Sequence, residues 1–356
     1  MDDSLPFGRR RLVVYGLGAT GERIARALVE RGVRIDALID ARRGGEVVSG
    51  APVLSPSALS DGDWRDADCL VALHNHYVPL ADVLALLTRV GFRRILGLAG
   101  LSRVVDVRGL AGGYWLDFEF SYGAHHRELD AVSAILADDE SRQLLQQVVS
   151  YRTTGDLAAC PTPSRDDEYT PVGLPRFREP VRLIDCGAYD GAAIRRFVQA
   201  AYRIEHVLAF EPDPANYAAL RARIGPDMRA TLLPMAAWSC VRTLRFAATE
   251  SMASGVADCG ELVVQAAPVD HVAVNWGPTL VKMDVEGAEL EALRGMEQTI
   301  RAHRPDLCLS LYHTPRHLFE IPLLVASWSL GYRFYLRVHE ENTFGVVLYA
   351  LQDRSA

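Results

Sequence analysis

Twice along this chain an apolar strand enters a glycine turn, the turn opens a helix, and the next strand ends on an acidic residue. The first copy is RLVVYGLGATGERIARALVERGVRIDALID, from Arg11 to Asp40. The second begins at Val181 with VRLIDCGAYDG and reaches its acid at Glu211, 26 positions beyond Asp185. A strand pairs in parallel with its successor only through a crossover, usually a helix, so the chain is committed to α/β architecture. Its 356 residues, 49% of them hydrophobic, are enough for two cores, one for each alternation.

The first alternation continues through DCLVAL, the helical period of PLADVLALLTRVGF and the strand RRILGLAG, which predicts a small parallel domain over residues 10–108. Residues 109–165 read as a helical connector, with helical period in HHRELDAVSAILADDESRQLLQQVVSYR before a stretch rich in Pro and charge. Residues 166–356 form the second, longer domain. It closes on YRFYLRV and FGVVLYAL, which lack an intervening helix and predict an antiparallel terminal hairpin.

Composition removes several classes of function. The 38 basic and 45 acidic residues leave a net charge of -7, which offers no general pull toward phosphates or anionic lipid, so neither nucleic acid nor membrane is an expected partner. Cys69, Cys160, Cys186, Cys240, Cys259 and Cys308 are scattered without zinc spacing and read as reduced thiols. No apolar run approaches the ~20 residues of a membrane span, and MDDSLPFGRRR lacks a secretory segment, so a cytoplasmic protein is expected. Of the 38 basic residues 37 are Arg; the single lysine is Lys282.

Open α/β sheets hold ligands beyond the carboxyl ends of their strands, where four polar clusters of the second domain fall. In Asp185-Cys-Gly-Ala-Tyr-Asp-Gly191, Gly187 and Gly191 would let backbone N–H groups approach a ligand, or simply make a tight turn. Glu211 in FEPDP could accept two hydrogen bonds from a ribose diol, which favours a nucleoside. In Lys282-Met-Asp284-Val-Glu286-Gly-Ala-Glu289 the acids could cap and complement a helix, the preferred reading for Glu289, but the lone lysine beside two carboxylates points to a site. His313, ending DLCLSLYH, reads as a general base or as a structural histidine.

LIDCGAYDG, FEPDPANYAAL, LVKMDVEGAELEALRGM and YHTPRHLFEIPLLV, in that order, resemble the FkbM family of S-adenosylmethionine-dependent methyltransferases, with DDEYTP upstream and VVLYA at the end. The resemblance runs from about Asp166 to Leu351, and KMDVEGAE is its most specific stretch. It implies a Rossmann-like class I methyltransferase sheet, S-adenosyl-L-methionine as cofactor and O-methylation of a sugar or natural-product hydroxyl. By the same resemblance Asp185, Gly187, Ala188, Tyr189, Asp190 and Gly191 form the cofactor loop and Glu211 binds the ribose. Pro212, Ala236 and Asp284 complete the cofactor contacts, and Asp284, Glu286 and His313 face the transferred methyl; Lys282 joins this catalytic set on its rarity. The chain departs from the pattern at His317, where Asp is frequent, and in YLRVHEENTFGVVLYA, which shifts a histidine to His339 and puts Gly345 near the place of an acid. These positions lie on the acceptor side, which puts the family's usual acceptor in question.

Methyl transfer needs the acceptor oxygen in line with the methyl–sulfur bond and water excluded, with His313 taking the proton and Asp284 or Glu286 orienting it or holding the acceptor. A divalent metal on Asp284, Glu286 and His313 is the competing device; metal-free catalysis is favoured. In the first domain Gly16, Gly18, Gly21 and Asp40 supply a full GxGxxG context for a nucleotide. That domain resembles, through IDALID and GAPVLSPSAL, the Rossmann-like N-terminal domains of sugar acyltransferases. It would then bind a sugar nucleotide, mediate a homodimer, or stand as an empty scaffold, with His74, Asn75 and His76 near its crevice. The rival functions are an NAD(P)-dependent oxidoreductase using this loop, a non-catalytic binding protein, and an S-adenosylmethionine enzyme of another reaction type.

Overall fold

The computed structural model describes residues 11–353 apart from 104, 106, 108, 109, 111, 226, 247–261 and 274; Cys259 and the MDDSLPFGRR segment lie outside the described residues. The chain divides into two compact units: Met1–His126 with Gln143–Pro163 and Glu340–Phe344, and Arg127–Arg142 with Ser164–His339 and Gly345–Ala356.

In the first unit β1 (Arg11–Tyr15), α1 (Ala19–Glu30), β2 (Ala37–Ile39), β3 (Val47–Val48), β4 (Ala51–Leu54), β5 (Ala67–Val71), α2 (Leu80–Val90) and β6 (Arg94–Gly97) build a sheet of order β3-β4-β2-β1-β5-β6. All its pairings are parallel except β3 with β4. Each residue of β2 and β5 is buried, as apolar runs covered on both faces should be. Helices α3 (His126–Ile135) and α4 (Asp139–Thr154) follow.

The second unit begins its alternation with β7 (Val181–Cys186), α5 (Ala192–Gln199), β8 (Ile204–Phe210), α6 (Pro214–Arg223) and β9 (Ala230–Leu233). Three short strands, β10 (Ala236–Ala237), β11 (Arg242–Phe246) and β12 (Leu262–Ala267), form a separate sheet, followed by α7 (Asp270–Ala273). The alternation resumes with β13 (Leu280–Met283), α8 (Glu289–Arg294), α9 (Glu297–His303), β14 (Asp306–Ser310), α10 (His317–Ser327), β15 (Tyr332–Val338) and β16 (Val346–Gln352).

The main sheet has the order β15-β16-β14-β13-β7-β8-β9. Strands β16 and β15 pair antiparallel, as expected, but the reversed strand is β16, one place in from the edge, because it inserts between β14 and β15. The edge strand β15 is covered: Ala137 N–H donates to Phe334 O at 2.8 Å, and Arg337 pairs with Asp138 at 2.9 Å.

Two stretches with an unbroken apolar or helical pattern are divided in the structure. RATLLPMAAW stops pairing at Pro234, which has no N–H for a ladder, and Ala236–Ala237 then pairs with β12 in the other sheet. GAELEALRGMEQTIRAH divides at Gly295, whose backbone packs so closely that a Cβ there would lie 1.9 Å from Trp238 O. Among the described residues no helix is long and apolar enough to cross a membrane.

Candidate active site

Parallel register sets Lys282 of β13 directly beside Asp185 of β7, both in the buried centre of the sheet. The Lys282 ammonium lies 3.2 Å from Asp185 Oδ1, donates to Gly187 O at 2.6 Å, and sits 5.6 Å from the Tyr169 ring centre. Burial opposes its charge, yet Asp185 and Asp284 outweigh that penalty and hold its pKa above the usual lysine value. Burial raises the Asp185 carboxyl, with Lys282 opposing. The one lysine of the chain thus ties a strand to its neighbour's glycine loop.

That loop does not present its amides in the way expected from the glycines. Gly187 and Ala188 N–H both donate to Phe210 O, at 2.9 and 3.0 Å, and Gly191 N–H donates to Ala188 O at 2.8 Å. The need for glycine at 187 is steric: φ is +78°, and a Cβ would fall 1.8 Å from Asp284 O. Tyr189, with φ of +50°, donates its N–H to Glu211 Oε2 at 2.7 Å, and Asp213 N–H donates to Oε1 at 2.9 Å. Each Glu211 oxygen keeps a second lone pair. Burial lifts this carboxyl to about 7 against those two hydrogen bonds.

Beyond β13 and β14 three carboxylates and two histidines converge. Asp284 accepts Tyr169 OH on Oδ2 at 3.0 Å and Tyr312 OH on Oδ1 at 3.2 Å. Tyr169 also sits 3.5 Å from Ser310 Oγ, and its own N–H donates to Tyr349 OH at 3.0 Å. His313 places Nδ1 2.8 Å from Glu289 Oε1 and Nε2 3.3 Å from Asp284 Oδ1 and 3.5 Å from Glu286 Oε2. Glu289 Oε2 is 3.1 Å from His317 Nδ1, and the Glu289 oxygens also accept Val285 and Gly287 N–H at 2.9 and 3.1 Å.

The electrostatics follow from this packing. Burial works against a charged His313, but Glu289, then Asp284 and Glu286, lift it to about 10. Burial likewise opposes a charged Glu289, yet His313 and His317 hold it well below the usual carboxylate range. These carboxylates favour the charged imidazolium form of His313. Burial brings Glu286 to about 8 despite His313.

Asp284, Glu289 and His313 offer ligand atoms within 4.8 Å of one another. Glu289, however, spends its oxygens on two histidines and two amides, and Asp284 on two phenols and His313. A cation would have to displace partners already in place.

Other sequence-predicted residues are placed as follows. Asp190 pairs with Arg195 at 3.2 Å and with Arg223, and with Gly191, Ile194 and Met228 it lines a cavity of about 260 Å³ beside α5. Ala188 is core, Pro212 follows Glu211, and Ala236 belongs to the small sheet. His339 lies 2.8 Å from Tyr349 OH and is pushed down to about 4 by burial. Sequence pattern does not single out Tyr169 or Tyr312 as site residues and marks His317 only as a departure on the acceptor side; YHTPRHL, which follows the end of β14, held the signal for Tyr312, whereas DDEYTP lies ten residues before β7.

In the first unit Gly18 caps α1 and Gly21 packs against Gly16 O. Asp40 accepts Leu17 N–H at 3.0 Å and Arg42 N–H at 2.8 Å, so its carboxylate ties its own loops. The same unit includes Glu340–Phe344: Asn342 donates to Leu73 O at 2.9 Å and accepts Tyr151 OH at 2.5 Å, Arg152 donates to Thr343 O at 2.9 Å, and Phe344 lies 5.0 Å from His74 between ring centres. His74 is pushed down to about 4 by burial.

Residues 185–334 match the family described as Methyltransferase FkbM domain. A crystal structure of methyltransferase FkbM from Methylobacillus flagellatus KT aligns with a TM-score of 0.75 at 24% identity, covering 96% of this chain and 90% of that one, and shares the fold. Two further solved structures, of a pericyclic reaction enzyme and of LepI in complex with SAM, each align at 10% identity and a TM-score of 0.28 over 49% of this chain and 44% of theirs, too slight a likeness to argue from. No curated protein matches. Residues 185–334 thus belong to the FkbM methyltransferase domain family, and the chain carries a methyltransferase domain.

Proposed function

We propose that this methyltransferase takes its methyl group from S-adenosyl-L-methionine and delivers it to a hydroxyl of a sugar or natural product. The observation that carries the reading is the pairing of Glu211 with the Asp185–Gly191 loop through the 2.7 Å bond from Tyr189 N–H. It holds the carboxylate proposed to accept the ribose after β8, next to β7, whose other neighbour β13 leads into Asp284 and Glu286. A carboxylate-rich site suits a sulfonium cation, and the aligned acceptor would supply the rest through proximity.

Calorimetry of the full chain with S-adenosylhomocysteine, NADH and UDP-sugars in parallel tests this. Binding of the first, lost in Glu211→Ala, supports the reading. Binding of NADH with no response to S-adenosylhomocysteine overturns it in favour of an oxidoreductase. Conversion of a hydroxylated acceptor, followed by mass, then identifies the methylated atom.

A further inference from the structure

Four carboxylates stand at the ends of β7 and β13, and their partners sort them by what they can still do. Asp185 is fully buried against Lys282. Glu289 is fully buried between two imidazoles and two backbone amides. Asp284 receives a phenol on each oxygen, and His313 Nε2 lies 3.3 Å from one of them. A carboxylate that accepts several donors is a poor base, because every donor stabilises its charged form.

Glu286 differs on each count. Its contact within the cluster is the 3.5 Å approach of His313 Nε2, it accepts no hydrogen bond among the described residues, and its side chain is 25% exposed. Its backbone is held at φ of +54°, a left-handed conformation that costs a non-glycine residue and persists where the surroundings fix it. We infer that Glu286 is the group that takes the acceptor's proton, an assignment that rests on the methyl-transfer reading. The acceptor oxygen bonds to the methyl carbon, the carbon–sulfur bond breaks with its electron pair left on a neutral thioether, and the hydroxyl proton passes to the Glu286 carboxylate. The groups facing Glu286 are His313 after β14, Asp284 on its own loop, Glu289 on α8 and Lys282 on β13. The imidazolium of His313, pinned by Glu289, keeps the carboxylate oriented. Burial raises the Glu286 carboxyl to about 8, so it acts as a base once the positive charge of a bound sulfonium has driven off its proton.

The test needs no known acceptor. A sulfonium held beside Glu286 favours its ionised form, so S-adenosylmethionine should expel a proton where the neutral thioether of S-adenosylhomocysteine does not. The two ligands share the amino acid and the ribose, so protons linked to those ends, and to Glu211, cancel in the comparison. Calorimetry from pH 6 to 8 in two buffers of different ionisation heat should give a greater proton release for S-adenosylmethionine than for S-adenosylhomocysteine in the full chain. Glu286→Gln should abolish the excess, keep affinity for S-adenosylhomocysteine, and lower turnover by roughly 10²- to 10⁴-fold once an acceptor is in hand. Equal proton counts for the two ligands, or an excess that survives in Glu286→Gln, overturn the assignment while leaving methyl transfer standing. If neither ligand binds, the methyl-transfer reading falls and the assignment falls with it.

Discussion

Lys282 and Asp185 face each other across paired strands, 3.2 Å apart and shielded from water, and the ammonium also holds the carbonyl of Gly187 at 2.6 Å. Removing either partner strands a buried charge. Lys282→Met should cost about 3–5 kcal/mol in denaturant unfolding, and the double variant Asp185→Asn with Lys282→Met should cost clearly less than the sum of the two single changes. Lys282→Arg should fail to restore the loss, because a planar fork cannot occupy the seat of a compact ammonium. Additive costs would show that the two charges do not depend on each other.

Glu211 sets the cofactor end. Glu211→Ala should weaken S-adenosylhomocysteine binding by about 10- to 100-fold, the loss of one or two hydrogen bonds to a charged acceptor. Burial raises this carboxyl to about 7, so it gains a proton as the pH falls through that value and becomes a poorer acceptor. Affinity should decline below about pH 7 in the native chain and lose that dependence in the alanine variant, as calorimetry across pH 6–8 will report.

His313 makes stability depend on alkaline pH. Its folded pKa, lifted to about 10, exceeds the ordinary histidine value of about 6.5, so the folded chain keeps a proton that the unfolded chain releases in between. The contribution is fully present below about 6.5 and is lost as the pH rises toward 10. Chemical denaturation from pH 6 to 10 should therefore show falling stability, with a shallower fall in His313→Gln; parallel curves would sink the imidazolium assignment.

Tyr169 touches the site from outside the strand ends. Its phenol donates to Asp284 while its backbone sits at φ of +68°, which is strained for an aromatic residue. Tyr169→Phe should cost about 1.5–3 kcal/mol, typical of a hydrogen bond to a charged group, and reduce turnover with little change in S-adenosylhomocysteine affinity. A loss of cofactor binding equal to the loss of turnover would instead place Tyr169 at the cofactor.

The crowding of Asp284 and Glu289 leads to a prediction about metal. Turnover after EDTA treatment should match untreated protein. A loss reversed by Mn²⁺ or Mg²⁺ would mean that a cation displaces the phenols and imidazoles from these carboxylates.

Much of the scaffold could be read from residue order, because hydrophobic runs of strand length separated by helical period leave few alternatives. Helix ends and strand breaks were harder, since the reasons lie elsewhere in space: Gly295 interrupts a helical pattern where the backbone meets Trp238. At the site, Lys282, Asp185 and Glu211 announced themselves by rarity or spacing. The electrostatics of His313 could not be read this way, because they depend on Glu289, 24 positions away in sequence but 2.8 Å away in the fold. Nor could spacing reveal that the loop amides at Gly187 and Ala188 are consumed by Phe210 O, since that depends on how β7 and β8 meet.

Tyr169, Tyr189 and Glu286 all adopt the backbone hand that glycine tolerates best. A laboratory selection for heat resistance alone would be drawn to glycine at Tyr189 and Glu286, which lie outside the core and where relief of local strain opens no large cavity, but not at Tyr169, whose ring is buried in the core. The winners of such a selection should be hardier proteins and worse catalysts, since each replacement erases a side chain or an orientation that serves the reaction rather than the fold.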